Sequence, residues 1–272
     1  MSSTFFVNPK IKHAILVEPT RIVGRTLRSE RVNIEPERPL QRLLGGYVVY
    51  FSDALPFALD RGKGWERGRK LVLMRPYEQH WLLRCQGLRT ILIEPESVCS
   101  SFMEDQRWSE GTEQNRRWAK RIERGFDAWA TLGIVPDKSV DEIIFGENLP
   151  ARQLNARIAS VITEINACPS GSQSSVTMLA RHIGLSTSRL SHLFREQLGI
   201  PIRSFRAWKR VRNSIALTVS EPLLLNAALN AGYADEPHYS RSMRKYFGQH
   251  AHLMKRHWSH AMTFRTTDTH CV

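Results

Sequence analysis

HIGLSTSRLSHLFREQLG, residues 182–199, decides how this chain reads. Its apolar residues recur at helical spacing, with Leu190, Leu193 and Phe194 on one side. On a wheel at ~100° per residue, Thr187, Ser188, Ser191, His192 and Arg195 share one arc of ~140°. A helix face made for water usually carries Glu and Lys. This one carries short hydrogen-bonders ending in a cation. Ser186 is a good N-cap residue and predicts the helix start, while Gly184 permits a sharp turn out of the preceding VTMLARHI, residues 176–183.

The same arrangement returns 49 residues on. LSHLFREQLG (190–199) lies on YSRSMRKYFG (239–248), so that Leu190 meets Tyr239, His192 meets Arg241, Phe194 meets Met243 and Gly199 meets Gly248. Upstream the register slips by one, Gly184 matching Gly232, which places the extra residue in the turn. In the second copy Glu236, Pro237, Ser240, Arg241 and Arg244 fill the polar arc, and Tyr239, Met243 and Tyr246 the apolar one. Small residues mark the short helix before each turn, Leu179-Ala180 and Ala227-Ala228. PIRSFRAWKRVRNSIALTVS, residues 201–220, predicts a long basic helix joining the copies. Helix, Gly-containing turn, helix with an outward polar face is helix-turn-helix grammar, in which the second helix enters the DNA major groove. A rigid connection can set two such helices into successive grooves, about 34 Å apart.

The chemistry suits that surface. Arg and His donate to guanine N7 and O6, and Ser and Thr serve either base. Ser188, Ser191, His192 and Arg195 are the base-reading candidates of the first copy, and Glu236, Pro237, Ser240 and Arg241 those of the second. Ser186, Thr187, Arg189, Arg203, Arg210, Arg244 and Lys245 are assigned to phosphates, with Arg206, Lys209 and Arg212 adding charge. Charge distribution agrees. Of the net +13, residues 173–260 carry +9, from 13 Lys and Arg against four Asp and Glu. A compact basic unit beside a nearly balanced one predicts double-stranded DNA as partner.

Residues 176–256 resemble the C-terminal DNA-binding domain of the AraC/XylS family of bacterial transcription regulators. The resemblance rests on LARHIGLSTSRLSHLFREQLG, then R-V-x-x-S where R-L-x-x-A is usual, then ALNAGYADEPHYSRSMRKYFG. Two departures stand out: His250-Ala251 replaces the usual Ser-Pro, and Ala227 sits where an aliphatic residue is common. The resemblance implies a homodimeric cytoplasmic regulator on a bipartite promoter site, with RNA polymerase as a further partner and a small molecule as effector. It implies no enzyme activity and no cofactor.

CPSGSQSS, residues 168–175, has linker composition and divides the chain into a sensing and dimerisation domain (1–167) and a DNA-binding domain (176–260). Within 5–100, YVVYFSDALPF, RKLVLMRP, HWLLRCQGL and RTILIEP read as strands joined by turns. Trp118, Ile122, Phe126 and Trp129, then Leu154, Ile158, Ile162 and Ile165, form apolar stripes of two amphipathic helices. Each stripe packs either on the strands or across a dimer interface. The predicted class is α+β: a small cupin-like β-barrel with two amphipathic helices, then an all-α domain with two helix-turn-helix motifs. The cupin-like resemblance is faint and implies an effector pocket near His80, Arg75 and Trp81.

Rival chemistry has little footing. One His and one Glu near residue 80 fall short of a metal cupin's ligand set, and the four His of 250–260 lack a Cys partner. RGKGWERGRK (61–70) reads as an exposed basic hairpin loop. No catalytic triad or phosphate-cradling Gly motif stands out. Scattered cysteines (Cys85, Cys99, Cys168, Cys271) fit reduced thiols, no apolar run reaches bilayer length, and the N-terminus lacks a signal-peptide layout. The remaining rivals are a metalloenzyme with a DNA-binding tail and a DNA-coating protein without sequence choice.

Overall fold

The computed structural model describes residues 13–17, 21–26, 40–52, 57–83, 88–132, 138–167, 175–258 and 262–264. Its β-rich part contains β1 (His13–Val17), β2 (Arg21–Thr26), β3 (Leu40–Arg42), β4 (Tyr47–Ser52), β5 (Phe57–Asp60), β6 (Trp65–Arg69), β7 (Leu71–Met74), β8 (His80–Leu83) and β9 (Leu88–Ile93). They form two sheets. One runs β10-β1-β2-β9-β4-β7, where β10 is Met262–Phe264 from the far end of the chain; the other runs β3-β8-β5-β6.

Among the described residues these two sheets are open and no ladder joins them, so the strands lie in two layers and the expected small barrel is not closed by these residues. β4 explains the arrangement. Its run YVVYFS is buried at every position because both faces are covered. Val48 and Tyr50 pack toward Phe57, Leu59 and Leu82 of the second sheet, while Tyr47, Val49 and Phe51 pack toward helices on the other side. The basic stretch 61–70 supplies the β5–β6 turn and then β6 itself. The Asp60 carboxylate accepts from the backbone N–H groups of Gly62, Lys63 and Gly64 at 2.7, 3.1 and 3.0 Å.

Helices follow: α1 (Ser100–Met103), a 3-10 turn (Gln106–Trp108), α2 (Glu113–Leu132), α3 (Val140–Ile144) and α4 (Ala156–Ala167). The α2 stripe lies on the outer face of the larger sheet, where Phe126 stacks on Phe51 at 6.4 Å and Trp118 on Phe145 at 5.7 Å. Gly125 lets α3 approach, since a Cβ there would meet the Ile144 carbonyl oxygen at 2.2 Å. The α4 stripe goes elsewhere: Ile158, Ile162 and Ile165 are buried with Leu179, Leu190, Phe194 and Phe205 of the helical part. The packing unit around the first helix-turn-helix therefore starts before the composition break at 168–175, most of which lies outside the described residues. Both stripes are covered within the chain, so neither is left as an apolar face for a second copy.

The C-terminal part comprises α5 (Val176–His182), α6 (Thr187–Leu198), α7 (Ile202–Ser220), α8 (Leu224–Asn230), α9 (Glu236–Phe247) and α10 (Ala251–Trp258). It sits on the sheets rather than apart from them. Trp208 of α7, Tyr246 and Phe247 of α9 and Leu44, Val48 and Tyr50 belong to one continuous apolar cluster. Gly45 admits Trp208, because a Cβ at Gly45 would meet its ring at 2.3 Å.

Candidate nucleic-acid interface

The two copies fold alike in detail. α5 and α8 have seven residues each, 48 positions apart, and α6 and α9 twelve each, displaced by the 49 residues of the sequence repeat. Both turns take a left-handed glycine, Gly184 at φ 66° and Gly232 at φ 76°. Both are closed by equivalent bonds, Leu185 N–H to the Ala180 carbonyl and Tyr233 N–H to the Ala228 carbonyl, each 2.9 Å. Ser186 caps α6 by accepting from Arg189 N–H at 3.2 Å, and Asp235 caps α9 by accepting from His238 N–H at 2.6 Å. The N-cap lies two residues after Gly184 and three after Gly232, so the one-residue slip falls in the turn. Gly199 and Gly248 end the two helices, both at φ 75°.

That frame fixes which side chains face out. On α6, Leu190 and Phe194 are buried, and Thr187, Ser188, Arg189, Ser191, His192 and Arg195 are exposed. His192 has Glu196 3.8 Å away, with both side chains largely in solvent. On α9, Tyr239 and Met243 are buried. Pro237, Arg241, Arg244 and Lys245 are exposed, and Glu236 and Ser240 half-buried. Ser240 Oγ lies 3.4 Å from His250 Nδ1, tying the second face to the segment before α10. Arg203 is exposed, whereas Arg210 lies half-buried with its guanidinium over the Tyr233 ring at 5.6 Å.

α10 is a packed element rather than a solvated tail. Ala251 and Met254 are buried, and Lys255 Nζ donates to the Thr218 carbonyl at 3.4 Å and to the Glu221 carbonyl, satisfying the open end of α7.

Two cations expected at phosphates are not there. Lys209 is 2% exposed and Arg212 7%, both turned into the junction with the sheets. Lys209 Nζ lies 2.8 Å from Glu94 Oε2 and 2.5 Å from Glu96 Oε1, and Arg212 Nε donates to Glu94 Oε1 at 3.1 Å. Trp208 Nε1 donates to Glu94 Oε2 at 2.9 Å. Burial opposes ionisation of Glu94, but the Lys209 and Arg212 charges outweigh it and hold its carboxyl below the usual range. For Glu96 burial prevails over Lys209 and pushes the carboxyl up. Sequence reasoning missed Glu94 and Glu96, which follow an ordinary strand run; their only signal was two carboxylates at the end of a buried strand.

Among the residues expected to face an effector, His80 is 1% exposed, with Nε2 2.8 Å from the Tyr50 hydroxyl and Nδ1 2.9 Å from the Glu78 carbonyl oxygen. It belongs to the core. Trp81 is half-buried on β8. Arg75 does line a cavity of about 530 Å³, together with Arg61, Glu78, Met103, Asp105 and Trp108, while His80 and Trp81 stand outside that lining. Among the described residues no group of three or more His, Cys, Asp or Glu could hold a metal ion.

Residues 179–256 match a family model described as a helix-turn-helix domain. An arabinose operon regulatory protein of Salmonella typhimurium is 31% identical over 96 residues, covering 35% of this chain and 34% of that protein. Its Escherichia coli counterpart is 36% identical over 74 residues, 27% of this chain and 25% of its own. The chain thus matches only about a quarter to a third of the length of these curated relatives. A crystal structure of ToxT from Vibrio cholerae aligns over 91% of this chain and 98% of its own with a TM-score of 0.52 and 10% identity, a likeness of fold.

Proposed function

We propose that this chain, whose residues 179–256 match a helix-turn-helix family model and resemble the AraC/XylS regulators, is a sequence-specific DNA-binding transcription regulator that responds to a small molecule. One observation carries the reading: two capped helices of equal length present outward polar arcs at a fixed repeat, mounted on a single connecting helix. α6 reads one half of a bipartite site through Ser188, Ser191, His192 and Arg195, and α9 reads the other through Pro237, Ser240 and Arg241, with Glu236 at the edge. Arg189, Arg203, Arg244 and Lys245 hold phosphates. Thr187 stands beside them, and Ser186 contributes through its cap. The effector enters the cavity at Arg75. Among the described residues no helix is long and apolar enough to cross a membrane. A homodimer would use a surface other than the α2 and α4 stripes.

Competition binding tests the reading. Sequences selected from a randomised pool should outcompete random duplex by at least about 10³ at physiological salt. Equal affinity for both would return the protein to the class of unselective DNA-coating proteins.

A further inference from the structure

Both reading helices pack on α7. Phe194 of α6 packs edge-on against Phe205 at 5.3 Å, and the Tyr239 hydroxyl of α9 sits against the Ser214 carbonyl and the Thr218 hydroxyl. Whatever fixes α7 fixes the separation and phase of α6 and α9. The β-sheet part takes hold of α7 at three points. Tyr77 donates its hydroxyl to the Ser204 carbonyl at 2.5 Å, Trp208 fills the space left by Gly45, and Glu94 and Glu96 enclose Lys209 and Arg212. A fourth contact reaches α9 itself, where Leu43 N–H donates to the Tyr246 carbonyl at 3.3 Å.

We infer that Glu94 and Glu96 are positioning residues for DNA reading: by binding Lys209 and Arg212 they lock α7 to the sheets and set the half-site spacing the protein accepts. Without them, α7 would carry like charges one turn apart at Arg206, Lys209, Arg210 and Arg212, an arrangement that weakens a helix. With them, two of those charges are consumed in a buried network in which Trp208 Nε1 also donates to Glu94. Neither carboxylate touches the polar arcs of α6 or α9, so their effect on DNA passes through α7. The coupling runs both ways: whatever disturbs the sheet end at 94–96 alters the relation between the two reading helices.

The inference rests on the DNA-regulator reading, and one experiment separates the two. The full chain is used to select sites from randomised duplex DNA, and the spacer of the selected site is then lengthened in single base pairs. For the natural chain, inserting five base pairs, about half a helical turn, should lower affinity more than about 10-fold by denying simultaneous contact. Glu94→Gln should leave affinity for one isolated half-site unchanged and shrink that spacer penalty to less than about 3-fold. Lys209→Met should flatten the profile likewise, and the double variant no further. Should Glu94→Gln lose its helical circular dichroism, the result is read from Lys209→Met, where Glu94 keeps Arg212. A pool that yields no two-part site overturns the regulator reading. A two-part site with an unchanged spacer profile in the folded variant overturns the positioning role alone.

Discussion

On α6 the Ser191 hydroxyl donates back to the Thr187 carbonyl at 2.7 Å, so toward DNA it is left as an acceptor, suited to the amino groups of cytosine or adenine. His192, unburdened by a strong partner, is the better donor toward guanine. Replacing His192 or Arg241 with Ala should therefore relax preference at one base position and cost about 1–3 kcal/mol, measured by binding to single-base variants of the selected site. Lys245→Ala should behave differently, weakening every sequence alike and lowering the salt slope by about one unit. Gly45→Ala tests the junction. The new methyl would stand 2.3 Å from the Trp208 ring, on a side chain with no free space around it, and overpacking should cost about 1–3 kcal/mol in a denaturation experiment.

At the scale of elements, the helical repeat was legible because its physics is local. Caps, glycine turns and the 3.6-residue period are written in adjacent residues, so Ser186 and Gly184 took the roles the sequence predicted. The strands over 47–52, 71–74, 80–83 and 88–93 were equally plain as apolar runs. Which partner covers an apolar stripe is a different matter. α2 and α4 have the same pattern, yet one lies on a sheet and the other on α6 and α7, a choice made by contacts far apart in sequence. Lys209 and Arg212 were misread for the same reason: a cation's spacing on a helix does not reveal a carboxylate more than 110 residues away. The local rules give a further test. Gly184 has φ 66° with open space around it, so Gly184→Ala should destabilise by about 1–2 kcal/mol through backbone strain alone, seen as a lower urea midpoint with an unchanged slope.

Across the whole molecule, the β-part and the helical part are fastened at both ends. β10, beyond the last helix, pairs in parallel with β1, matching Ile15 with Met262 and Val17 with Phe264, so the helical part is spliced between two strands of one sheet. No local signal marks three residues near a C-terminus as a strand whose partner is the first one. The buried acids make this fastening sensitive to pH, and the direction can be worked out. Glu94 ionises more readily folded than unfolded, so its stabilisation is present above its ordinary value of 4.5 and is lost as pH falls below it. Glu96 runs the other way: its carboxyl is raised by burial, so its share is greatest below 4.5 and fades as pH climbs through the folded value. Comparing the natural chain with Glu94→Gln isolates the first of these. Removing one member of a buried pair costs on the order of 3–5 kcal/mol, and this stability gap should be widest near neutral pH. It should narrow as the medium is acidified below 4.5, because the natural chain then forfeits the charge that the variant never had. Urea unfolding at a series of pH values measures the gap, and a constant gap from neutral pH into strong acid would mean that Glu94 holds α7 without its charge.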